Sequence, residues 1–257
     1  MAATALSALA ATAGCDWDWA KRTGGILSSA QQERFARLYW RLQQRLIIEQ
    51  DLNRIGVRGN VNLDFGSAEI PRTALTAAAE VAARSLTEPV LNHCLRGYYY
   101  ARAMAECWGR PFDDEISYAA CLLHDLYLET PTPGRCFAVV GALHAMDIAL
   151  EAGVPSDRAD ALGRAIALHM NLDIAHLHSD PAGFVAAGAF VDVYGVPKNS
   201  FEDGWLQELW RRYPRLGFTQ IAAASMEAQA AVENSRTHWL VNHGHVIHWV
   251  LKAPYND

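Results

Sequence analysis

Ile116-Ser-Tyr-Ala-Ala-Cys-Leu-Leu-His-Asp125 is an apolar helical run that closes on a histidine and an aspartate. An imidazole and a carboxylate side by side at the end of such a run are poorly placed for a core. Burying a charge without a partner or a metal costs several kcal/mol. A divalent cation removes the conflict, and a second histidine, His93, stands upstream on another expected helix. The pairing suggests a metal site.

Outward from this run the chain reads as helix after helix. From Pro71 onward the expected helices span about 72–86, 88–108, 113–128, 135–153, 157–170, 181–194, 202–212, 217–232 and 235–251. Asp113, Ser156 with Asp160 soon after, and Asp180-Pro181 mark helix starts. Gly109-Arg-Pro111, Pro131-Thr-Pro-Gly134 and Gly153-Val-Pro155 separate the helices. Upstream, Gln31–Asn53 carries Phe35, Leu38, Tyr39, Leu42, Leu46 and Ile47 at amphipathic spacing, and residues 54–70 read as a loop with one strand-like segment. The expected fold is all-α. A helical bundle over 71–257 follows an N-terminal extension, residues 1–70, made of a tail, an amphipathic helix and a loop.

Composition narrows the class. Half of the 257 residues are hydrophobic, enough for a sizeable core, and the net charge is −6. No basic run exceeds Arg211-Arg212, which argues against nucleic acid and against an anionic membrane surface. The Ala-rich start lacks a basic leader and reads as a tail, and no stretch reaches the ~18 uninterrupted apolar residues of a membrane span. Five cysteines without a CxxC pair read as reduced core thiols of a cytoplasmic protein. There is no Gly-x-Gly-x-x-Gly, Walker A or Gly-x-Ser-x-Gly motif.

His93, His124, Asp125 and Asp192 arrive from different expected segments and could form one metal shell, as bundle cores do. Two imidazoles and two carboxylates suit Zn2+ or Fe2+ and leave positions open. Taken singly, His93 beside Tyr98, Tyr99 and Tyr100 also reads as a core histidine, and Asp192 as a helix cap or an arginine partner. Arg96, one turn after His93, either orients a small ligand or pairs with a helix carboxylate. Tyr194 is either a core aromatic or a hydroxyl for a small polar ligand. His176 and His178 read as an exposed loop. His238, His243, His245 and His248, with Trp239 and Trp249 among them, read as a packed aromatic helix end and an oligomer contact.

The order His93, His124-Asp125, Asp192 resembles the signature of the HD-domain superfamily of metal-dependent hydrolases. Asn92-His-Cys-Leu-Arg-Gly-Tyr-Tyr-Tyr-Ala101, Ala119-Ala-Cys-Leu-Leu-His-Asp-Leu126, Phe137-Ala-Val-Val-Gly-Ala142, Ala165-Ile-Ala-Leu-His-Met-Asn-Leu-Asp-Ile-Ala175 and Tyr213-Pro-Arg-Leu-Gly-Phe218 are similar, in order and spacing, to the cyanamide hydratase family within it. The likeness covers about residues 70 to 250. It implies that His93, His124, Asp125 and Asp192 hold the metal and that His169 stands near its open face. One metal is implied, because Phe137 stands where dinuclear HD proteins have a histidine. The chain departs from the family at Tyr127, where many members have glycine, and at Ala138 and Val140, where they carry acidic residues.

The activity implied is a hydro-lyase reaction, water added to a small nitrile-type substrate by a metal-bound hydroxide, most simply cyanamide to urea. Asp125 would ligate and accept a hydrogen bond from the attacking water. His169, with a near-neutral reference pKa, would shuttle a proton. Arg96, Tyr127 and His144 are the expected substrate contacts, His144 lying two helical turns after Phe137. An HD phosphohydrolase, with Arg96, Arg135 and Arg164 as clamps, keeps the fold. So does a di-iron oxygenase that adds His144 and His169 as ligands. A partner-binding bundle without catalysis is the fourth reading. The expected partner is a small molecule, with the helix at 31–53 covering the site mouth or joining copies of the chain.

Overall fold

Asp113, at the start of the decisive run, accepts a hydrogen bond from the Ile116 amide (3.0 Å) and is paired with Arg158 at 2.9 Å. The cap begins one helix and the ion pair pins it to another. The structure, a computed structural model, describes residues 14–66, 68–172 and 181–255. Its helices are α1 (Trp17–Thr23), α2 (Ser29–Arg54), α3 (Ala74–Ala83), α4 (Glu88–Cys107), α5 (Asp114–Leu123) and α6 (Phe137–Glu151). There follow α7 (Ser156–Leu168), α8 (Pro181–Tyr194), α9 (Asp203–Arg212), α10 (Phe218–Gln229), α11 (Arg236–Asn242) and α12 (Val246–Leu251). No strand is present among the described residues. The strand-like segment is reduced to an isolated bridge, Val61 to Phe201, and a second bridge joins Ile26 to Ser235.

One close crossing sets the site. A Cβ on Gly188 of α8 would lie 2.1 Å from the Gly97 carbonyl oxygen of α4, so only glycine lets the two backbones approach this far. His93 sits one turn before Gly97, and Asp192 one turn after Gly188. The crossing therefore brings these two side chains face to face.

The described part of residues 1–70 packs into the same core. Asp16 caps α1 by accepting from the Trp19 amide, and the Trp17 indole donates to Asp160 of α7 at 2.8 Å. From α2, Phe35 and Tyr39 meet the ring of Trp239 edge-on at 5.2 and 5.5 Å. All five cysteines are free, and four are buried.

Three elements differ from expectation. The seven-residue α1 was hidden in the stretch between the tail and the amphipathic helix. The expected 113–128 helix ends at Leu123, where His124 becomes the C-cap. The expected 235–251 helix breaks into α11 and α12. A Cβ on Gly244 would stand 2.8 Å from the Leu240 carbonyl and 3.1 Å from Tyr39, and His245 follows with φ 53.

Candidate metal centre

His124 caps α5 and His169 caps α7, each just past the last helical turn. That turn has unpaired carbonyls, and each imidazole answers one of them. His124 Nδ1–H donates to the Cys121 oxygen at 2.7 Å, and His169 Nδ1–H donates to the Ile166 oxygen at 2.6 Å. On α4, His93 Nδ1–H donates to Asp192 Oδ2 at 2.8 Å, and its ring stacks on Phe218 at 4.3 Å. With Nδ1 protonated in each ring, Nε2 is left with its lone pair.

Those lone pairs converge. His93 Nε2 and His124 Nε2 are 3.2 Å apart, and Asp125 Oδ2 is 3.4 Å from each. Four-coordinate Zn2+ with bonds of 2.0–2.1 Å needs donor atoms about 3.3–3.4 Å apart, so the triangle fits such an ion. These three residues form the one cluster of ligand type found among the described residues. Burial works to lower the His93 pKa, but hydrogen bonds to Asp125 and Asp192 raise it overall.

Asp192, the fourth ligand of the sequence reading, lies outside this triangle, behind His93. Its Oδ1 accepts from Arg96 Nε (2.8 Å) and Arg215 Nη1 (3.1 Å), and its Oδ2 from Arg96 Nη2 (2.7 Å) and His93 Nδ1. Two guanidinium groups claim the carboxylate, and it stands behind His93 as the acceptor that fixes the ring. Burial works against its charge, yet Arg96 and Arg215 hold it far below the usual carboxylate range. Asp125 is likewise held ionised against burial, by His124 first and then His93. Arg96 thus takes the role of a carboxylate partner instead of touching a ligand in the cavity. Arg215 and Phe218 had no assigned role; the signal was the Tyr213–Phe218 segment, without a partner to read it against.

The triangle opens onto a cavity of about 50 Å³. Among the described residues its wall beyond His93, His124, Asp125 and His169 is mostly apolar, with Leu128, Phe137, Phe190, Phe218, Ala222 and Met226 prominent, and no lysine or arginine lines it. Tyr194 also lines it, and its hydroxyl has no hydrogen-bond partner among the described residues. His169 Nε2 stands 3.8 Å from Asp125 Oδ1. Burial, reinforced by His124, lowers the His169 pKa to about 3. The near-neutral value expected of it is corrected accordingly, and the ring is neutral at pH 7.

Tyr127 and His144 are elsewhere. They bond to each other at 3.1 Å in an open groove between α3 and α6. Seven residues put His144 on nearly the same helix face as Phe137 but about 10 Å farther along the axis, out of reach. Arg135 is exposed, and neither it nor Arg164 lines the cavity. His176 and His178 fall outside the described residues. His238 of α11 bonds to the Ala230 oxygen at 2.8 Å, whereas His243, His245 and His248 are exposed.

Residues 90–184 match the HD domain family model. That match takes in nearly all of α4, the whole of α5 and the start of α8, the elements around the His93 and His124-Asp125 pair, and marks the class of protein that this part of the chain resembles. Within that class its likeness runs to the cyanamide hydratase family. Cyanamide hydratase DDI2 and cyanamide hydratase DDI3 of Saccharomyces cerevisiae are each 27% identical over 168 residues, covering 62% of this chain and 72% of each relative. Among the described residues no helix is long and apolar enough to cross a membrane.

Proposed function

We propose that the protein is a metal-dependent hydratase of a small, uncharged nitrile-type substrate, converting cyanamide and water to urea. The observation that carries this reading is the cavity: about 50 Å³ with an apolar wall and one polar end. A water needs roughly 10–15 Å³ on this scale, so the space holds about three or four waters or one linear three-atom molecule. The likeness to two yeast proteins named cyanamide hydratase supports the same substrate.

His93, His124 and Asp125 would hold the ion, Zn2+ or Fe2+. When bound it acts as a Lewis acid and brings the pKa of a water toward about 7. The residues do the remainder. Asp192, clamped by Arg96 and Arg215, keeps Nδ1–H on His93 and so its lone pair inward. Asp125 Oδ1, outside the triangle, and neutral His169 Nε2 both accept hydrogen bonds from a water between them. The water oxygen bonds to the nitrile carbon, and one C–N π bond becomes a nitrogen lone pair that takes a proton. His169 relays that proton: a ring whose pKa lies near 3 gives it up readily. The isourea so formed tautomerises to urea. Leu128, Phe190 and Met226 exclude bulk water.

A phosphoester is disfavoured, because phosphate wants positive charge and both guanidinium groups nearby are bound to Asp192. The di-iron alternative loses one of its extra ligands with His144. The test is metal content by elemental analysis together with urea formation from cyanamide, with His124→Ala as control. About one zinc or iron per chain, and urea from the unmutated protein alone, is expected. Metal without urea would discard the substrate, and activity surviving in His124→Ala would discard the site.

A further inference from the structure

Helix α2 is apolar on two faces. Phe35, Tyr39, Leu42 and Leu46 are buried against the core. The other face carries Trp40, Ile47 and Ile48, which are 62%, 46% and 56% exposed, with Ile55 just past the helix end at 68%. At about 100° per residue these four share a sector roughly opposite the buried one. They are four of the ten large apolar side chains exposed among the described residues, and Val57 follows two residues after Ile55. Single exposed hydrophobics need no explanation, whereas a stripe does.

We propose that this face is a self-docking surface, on which a second copy of the chain lays its own α2 antiparallel. Charge selects the partner and the direction. The N-terminal half of α2 carries Glu33, Arg34, Arg37 and Arg41, and the C-terminal half carries Arg45, Glu49, Asp51 and Arg54, so the first half is net positive and the second is neutral. A parallel pair sets the two positive halves against each other, and an antiparallel pair sets each against a neutral half, with exposed Arg37 facing exposed Asp51. A two-fold axis at Gln44 puts Trp40 opposite Ile48 and Arg37 opposite Asp51, because the members of each pair are equally far from 44. Gln44 meets itself, as such symmetry requires. Ile47 then falls beside Trp40 and Gln44 of the second copy. The steps 40, 44, 47, 51 alternate four and three, the spacing of a helix-pair seam. Among the described residues Asp51 is paired with Arg54 of its own helix, at 3.2 Å on the surface, which leaves an exposed carboxylate for a second guanidinium. The stripe is about 22 Å long, and the stems of Arg37 and Arg41 widen it. Such a seam is at or below the ~800 Å² per partner of standard interfaces, so the dimer forms in the micromolar range.

Sedimentation equilibrium of the full chain across that range tests this. A reversible dimer is expected for the unmutated protein, and a monomer for Ile48→Arg with unchanged helicity and melting temperature. Arg37→Asp and Asp51→Arg should each weaken the dimer about tenfold, since each change acts at two symmetric places. The double swap should restore it, a result that a merely sticky patch would not give. A monomeric unmutated chain, a dimer indifferent to Ile48→Arg, or a double swap without rescue would overturn the proposal. So would a chain that dimerises only after residues 1–13 are removed, which would seat that segment on the stripe.

Discussion

Replacing Asp192 with asparagine keeps the shape of the side chain and removes one charge from a fully buried cluster. Four donors point at that carboxylate at 2.7–3.1 Å, three of them from Arg96 and Arg215, which are 0% and 6% exposed. In Asp192→Asn two buried guanidinium groups lose the carboxylate they share, and one amide N–H₂ must face them. Removing one partner of a buried ion pair costs about 3–5 kcal/mol. For a chain of this size, that lowers the melting temperature by about 10 °C. The effect has a pH signature. The folded pKa of Asp192 is depressed, so its stabilisation is fully present above the unfolded value near pH 4 and is lost as pH falls through the folded value. Metal-free unmutated protein should therefore lose stability below pH 4 more steeply than Asp192→Asn. Metal binding separates the two possible roles. As the residue that orients His93, Asp192 is worth about 10- to 100-fold in affinity, so the variant still reaches one metal per chain when metal is in excess. Titration against a competing chelator, beside thermal melts, measures both. No binding at any metal concentration would make Asp192 a ligand, and a stability loss under 1 kcal/mol would refute the clamp.

Other expected outcomes follow from the cavity. Ala222→Leu adds three carbons where about 50 Å³ is free, so activity should fall about a hundredfold or more while metal content holds; unchanged activity would place the substrate elsewhere. Tyr194→Phe removes a hydroxyl with no hydrogen-bond partner among the described residues, so stability should not change, while kcat/KM falls about 3- to 10-fold if the hydroxyl meets the substrate. His144→Ala, outside the cavity, should leave activity within about twofold, and a large loss would return it to the site.

The elements that carry the centre were legible in the sequence because they are long, apolar and sharply capped. Helix α4 was expected over 88–108 and observed over Glu88–Cys107, and Asp113 caps α5 as its position suggested. What escaped depends on contacts distant in sequence. Asp192 was an acidic residue in an apolar run until Arg215, 23 positions on, closed over it. His144 shared a face with Phe137, but a face does not record distance along the axis. At Gly244 a Cβ would meet the Tyr39 ring of α2, some 200 residues away, at 3.1 Å, a contact that no window on residues 235–251 contains.

His124 and His169 each hold their orientation through a carbonyl of the helix they end. The socket is therefore cut by the fold and needs no occupant to keep its shape, unlike small domains that gather around their ion. Emptying it should leave the helices standing, and refilling it calls for no rearrangement. Three rigid nitrogen and oxygen donors also do little to tell one borderline ion from the next. If the site holds an ion, supply would then decide which one, and the same chain raised on different metals would emerge with different cargo.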